Sequence, residues 1–145
     1  MAGAWYEMHI HFLLLWMMMV GGVLGGAILG RKLIEQFAPD LAKHIACFEA
    51  HAGKIGMATG AAGLSQLVWT KGYGATIFDD DLLPGLAAVA VGLVLTSDWL
   101  KARNSAAGQE TPGFMDFAKP AAPIVGVVCA GAQVLHLFAG WVAVI

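Results

Sequence analysis

Residues 8–32 read MHIHFLLLWMMMVGGVLGGAILGRK, and between Glu7 and Arg31 there is no formal charge. At about 1.5 Å per helical residue, this run is long enough to cross a hydrocarbon layer of about 30 Å. A cleaved secretory signal would place basic residues first and a short apolar core next. Here an acid precedes the run and Arg31 and Lys32 follow it, so a retained transmembrane helix is expected. The bulk composition agrees. Of 145 residues 59% are hydrophobic and 12% charged, with a mean hydropathy of +0.72, the balance of an integral membrane protein. A net charge of -2 supplies no basic stripe for phosphates, which argues against a nucleic-acid partner.

The pattern repeats along the chain. Four apolar segments, at about 5–30, 45–69, 82–100 and 120–145, predict an all-α bundle of four transmembrane helices in a single domain, 1–145. The second opens with Glu49, His51 and Lys54 in its first turns. The third carries Pro84 in its first turn, where a missing N–H is harmless, and closes at SDWLKAR; it is the shortest of the four. Only NSAAGQETPGFMDF, residues 104–117, is a long polar stretch, too small to be a catalytic domain.

Loop charges set the expected orientation. Arg31, Lys32 and Lys43 lie between segments one and two, and Lys101, Arg103 and Lys119 between three and four. The remaining loop has Lys71 beside Asp79, Asp80 and Asp81. Cytoplasmic loops carry the excess of lysine and arginine, so both termini are expected on the non-cytoplasmic side of a bacterial inner membrane. Trp5, Tyr6, Trp69, Tyr73 and Trp141 then fall at the outer interface and Trp99 at the inner one, as an aromatic belt requires.

Glycine spacing marks close helix packing. Gly22, Gly26 and Gly30 recur on one face of the first segment, and Gly53, Gly56, Gly60 and Gly63 in the second. Such faces serve either the internal bundle or a contact with other membrane subunits, and both uses stay open here. Cys47 and Cys129 lie in different apolar segments without a C-x-x-C pattern, and read as buried thiols.

The histidines are the candidate site. His9 and His11 are two positions apart, so they point to roughly opposite helix faces. Counting depth from the helix ends places His11 and His136 in the outer leaflet, and His44 with His51 near the cytoplasmic face on one shared helix face. An ionisable residue inside a membrane is a functional candidate, and His136 is the deepest, with Gln133 on the adjacent turn. Two imidazoles on facing helices at matching depth are what a haem b in a four-helix bundle needs, and Ala132 and Gly140 beside His136 clear space for a ring. The reading is therefore His136 with His11, or with His9, as axial ligands. A methionine, Met8 or one of Met17, Met18 and Met19, is a further thioether candidate, and His51 a subsidiary quinone or proton-relay position.

The stretch MHIHFLLLWMMMVGGVLGG followed by HAGKIGMATGAAGLSQLVW resembles small four-helix membrane proteins of the CopD-like and HemJ-like kind. Those families pair a histidine near the start of the first helix with a glycine run of the type matched by Trp16, Val20, Gly21 and Gly22. The resemblance covers the first 70 residues and implies haem b at His9 or His11. The later segments lack the basic residues of a HemJ-like oxidase, so that activity is not implied. AQVLHLFAGW, with Ala132, His136 and Trp141, is similar to the pigment-binding helix of antenna polypeptides, which implies bacteriochlorophyll magnesium as the alternative metal at His136.

No H-E-x-x-H, phosphate-binding loop or nucleophile elbow is present, and the only carboxylates near the membrane interior are Glu49 and Asp98. Transporters place such groups at mid-depth, so transport is disfavoured. Two functions remain: a haem b electron-transfer subunit working with quinone and a larger complex, or a non-catalytic accessory subunit of a respiratory or photosynthetic complex, with bound lipid. Either suits a subunit better than an independent enzyme.

Overall fold

The computed structural model describes residues 2–70, 82–109 and 116–142, with side chains for 9–68, 82–109 and 119–138. Among these residues the chain is almost wholly helical and has no strand, in the order α1 (Ala2–Phe37), α2 (Pro39–Ala46), a short 3-10 turn (Glu49–His51), α3 (Ala52–Thr70), α4 (Leu82–Ala106), a second 3-10 segment (Asp116–Ala121) and α5 (Ala122–Val142). Three helices are long and apolar enough to cross a membrane: His9–Phe37, Leu82–Ala106 and Lys119–Phe138. Large apolar side chains on the outside suit that setting. Phe12, Leu13, Val68, Leu83, Ile124, Val128, Leu135 and Phe138 are all exposed, which water would penalise and lipid does not.

The segment boundaries differ from the sequence reading in instructive ways. α1 continues past Gly30 for two further turns, because Arg31 and Lys32 are ordinary residues for a helix emerging from lipid. What stops it is Pro39. The residue before a proline is pushed out of the α region, and Ala38 sits at φ -146 while its N–H still bonds back to Ile34. Pro39 then opens α2, so the second apolar segment does not begin at Ile45; it bends at Cys47 and Phe48 and restarts in the 3-10 turn. His44 and His51 therefore stand on separate helical pieces, not on one shared face. The third segment, the shortest by sequence, extends to Ala106 and has the length to span. Its end is a Schellman cap: Gly108 at φ +70 lets Gln109 N–H reach the Asn104 carbonyl at 2.9 Å and its own N–H reach Ser105 at 3.1 Å.

Glycine seams hold the bundle together. On α1, side chains at Gly26 and Gly30 would strike the backbone of Gly126 and the Val127 side chain, so α1 and α5 pack antiparallel with Gly26 against Ala130 and Gly30 against Val127. On α3, a Cβ at Gly56 would stand 2.7 Å from the Leu95 Cβ, and one at Gly92 on α4 would stand 2.6 Å from the Gly60 Cα, while one at Gly60 would meet Gly92 at an ordinary 3.4 Å. That approach requires glycine at 92 and at 56. Both seams serve the inside of the bundle. Met18, Met19, Ala62 and Ala88 fill one core cluster, with Leu15 and Leu137 against it; Ile28, Ile45, Val91, Leu95 and Cys129 fill the other. Cys129 is buried as expected, whereas Cys47 is exposed because the chain has left the bundle at that turn.

Candidate functional site

The α1–α5 seam fixes the depth of His136. Gly22 lies against Gln133 and Gly26 against Ala130, and continuing this pairing sets His136 level with Met18 and Met19, where Leu137 also packs. His11 stands about seven residues further along α1, or roughly 10 Å away in depth. Its backbone lies against α3: the Gln66 Nε2–H donates to the His11 main-chain carbonyl at 3.4 Å, and His11 is half-buried while His9 is exposed. His51 is exposed at the opposite end of the bundle, and His44 holds the Asp40 carbonyl at 2.8 Å. The fold thus does not bring His136 together with His11, His9 or His51. Two axial imidazoles must share one iron, so rings about 10 Å apart in depth do not fit a bis-histidine haem. An apolar groove of about 320 Å³ does open between α1 and α5, lined by Trp16, Met19, Val20, Gln133, Val134 and Leu137, and among the described residues no histidine lines it. Among the described residues there is no group of three His, Cys, Asp or Glu side chains able to hold a metal ion.

Buried polar side chains sit at mid-bundle. Thr59 occupies the space left by Gly21, and Gln133 the space left by Gly22; both are 1% exposed. The Gln133 amide reaches across the bundle and donates to the Pro84 carbonyl at 2.7 Å, tying α5 to the first turn of α4. In an apolar interior such a bond ties two helices together, and it satisfies the amide N–H of Gln133 while its Oε1 stays buried without a hydrogen-bond partner among the described residues.

Chemistry gathers at the other end. A cavity of about 450 Å³ opens where α1, the start of α3, the end of α4 and the start of α5 converge. Its inner wall is apolar, with Ile28, Leu29, Leu95 and Pro123, and its mouth is charged, with Arg31, Lys32, Glu49, Asp98 and Lys119. Two ion pairs cross the mouth. Arg31 Nε meets Glu49 at 2.7 Å, joining α1 to the turn before α3, and Lys119 Nζ meets Asp98 at 3.4 Å, joining the α5 entrance to α4. Trp99 forms one wall; its indole lies over Gly53, where any side chain would collide with it, and the Arg103 guanidinium stands 5.3 Å from its centre. Three cations face two carboxylates, and Lys32 has no carboxylate partner among the described residues.

This vestibule escaped the sequence reading, which took Arg31, Lys32 and Lys119 as topology markers and Glu49 and Asp98 as marginal interior acids. A signal was present: acids and bases of opposite sign flank successive apolar segments at the same end. Trp99 lies at that end, with the basic residues, while the side chains of Trp5, Tyr6, Trp69 and Trp141, and the whole of Tyr73, lie outside the described residues.

The chain matches the model of a protein family of unknown function over residues 9–136. No curated protein and no solved structure matches it.

Proposed function

The chain belongs to that family of unknown function, and we propose that it is a non-catalytic, four-span subunit of a bacterial inner-membrane complex that holds a membrane amphiphile, lipid or quinone, in its vestibule. The observation that carries this reading is the vestibule itself: a pocket of about 450 Å³ with an apolar inner wall under a charged mouth, whereas the grooves of about 320 and 370 Å³ along α1 have no charged residue in their lining among the described residues. Such a pocket suits a molecule with a polar head and an apolar body. α3, with 19 residues, is the fourth span, and it runs antiparallel to α4 along a continuous glycine seam. The basic residues that orient the chain, Arg31, Lys32 and Lys119, meet at the vestibule, which supports a cytoplasmic mouth and both termini on the other side. An electron-transfer role through haem draws less support, since His136 and His11 stand at different depths.

Two measurements test this. Protein purified in mild detergent is extracted with organic solvent and its reduced-minus-oxidised spectrum is recorded. Near-stoichiometric lipid or quinone with no b-type α-band is expected; a sharp α-band abolished by His136→Ala would overturn the reading in favour of a cytochrome. For orientation, exposed Cys47 in inside-out vesicles is expected to react with a membrane-impermeant maleimide while buried Cys129 does not. Labelling of Cys47 only in right-side-out vesicles would invert the topology.

A further inference from the structure

Which amphiphile the vestibule prefers follows from its charges, and this step rests on the amphiphile-binding reading above. Arg31 and Lys119 are each engaged by a carboxylate, at 2.7 Å and 3.4 Å, so their charges are largely spoken for. Lys32 is the remainder. It lines the same cavity, is exposed, and has no ion pair among the described residues, which leaves the mouth with an excess of one positive charge over an apolar floor. Neighbouring dipoles have the same sign: α3 begins at Ala52 and α5 at Ala122, both on the cavity wall, and a helix presents the positive end of its dipole at its start. A zwitterionic headgroup brings its own cation beside its phosphate and gains little net from this arrangement; a headgroup with net negative charge gains a charge-assisted contact. The two ion pairs have a second consequence. Because both sit at the mouth with half-exposed side chains, an entering oxyanion can share Arg31 and Lys119 without either carboxylate becoming buried and unpaired.

We infer that the vestibule is an oxyanion site for the phosphate or carboxylate headgroup of an anionic membrane amphiphile, with Lys32 as its unshared contact and Trp99 packing beside the headgroup. The headgroup sits at the charged mouth, and the start of the lipid's chains packs on the apolar inner wall formed by Ile28, Leu29, Leu95 and Pro123.

The test uses the full chain in nanodiscs of equimolar phosphatidylcholine and phosphatidylglycerol, transferred to mild detergent, with retained lipid counted by native mass spectrometry. Wild-type protein is expected to keep phosphatidylglycerol in preference to phosphatidylcholine. Lys32→Gln should lower that preference roughly fivefold, the value of one cation near an anionic headgroup. Lys54→Gln removes an equal, exposed charge outside the cavity and should leave the preference unchanged. Displacement of the retained lipid by excess inorganic phosphate would support the oxyanion chemistry and assign it to a soluble source; resistance to it supports the lipid. Equal retention of the two lipids by the wild type, or an equal effect of the two lysine substitutions, would overturn the inference while leaving amphiphile binding intact. Retention of no lipid or quinone at all would remove both.

Discussion

The glycine seams and the vestibule occupy the same four helices and obey opposite rules. Along the seams, backbone approaches backbone: a methyl group at Gly92 would strike Gly60, and one at Gly26 or Gly126 would strike the facing backbone. At the vestibule the helices part around about 450 Å³, and charged side chains hold the gap. Lipid tails are as apolar as leucine, so membrane helices gain little from simple hydrophobicity and must gain from contact, which small residues maximise. Where the bundle reaches the headgroup layer, charge is tolerated again, and the same helices can end in a polar cavity. Rigidity belongs to the seams, and the proposed recognition to the vestibule.

The comparison breaks first at the seam. Gly92→Val puts two methyl groups into backbone and should destabilise the fold by about 3 kcal/mol in a detergent unfolding titration. Gly131→Ala, where no atom lies within 4 Å of the new Cβ, should cost nothing in the same assay. A tolerant Gly92 would mean that the α3–α4 contact is looser than described.

Next comes the mid-bundle tie. Gln133→Ala removes the bond to Pro84 and leaves a hole, at a cost of about 2 kcal/mol. Gln133→Met keeps the volume and removes both polar atoms, and should cost under about 1 kcal/mol. Equal losses would show that the volume does not matter and the hydrogen bond does. The vestibule should respond least. Glu49→Gln opens a half-exposed ion pair with Arg31 and should change stability by about 0.5 kcal/mol, while strengthening retention of anionic lipid by freeing Arg31. A loss as large as that of Gly92→Val would mean that the ion pairs hold the fold and are not there for recognition.

Much of the architecture was legible in residue order. Uncharged runs located the helices, and the glycine spacing identified close faces, because both signals are local and periodic. The end of α1 was less legible: composition pointed to Gly30, while the steric demand of Pro39 on Ala38 set the break at Phe37. For the histidines, counting from each helix end gave His11 and His136 similar depths. Their true offset depends on the register of α1 against α5, which the contacts of Gly22, Gly26 and Gly30 decide.

By itself the sequence determined that this chain is helical, apolar and built to pack on glycine, since hydropathy and spacing follow from side-chain chemistry alone. Whether the glycine faces close the bundle or wait for a partner was decided only by the tertiary structure, which spends them internally. The vestibule is likewise a product of register. Arg31 and Glu49, or Asp98 and Lys119, are distant in the chain, and they become one charged mouth only when antiparallel helices slide to the alignment their small residues allow.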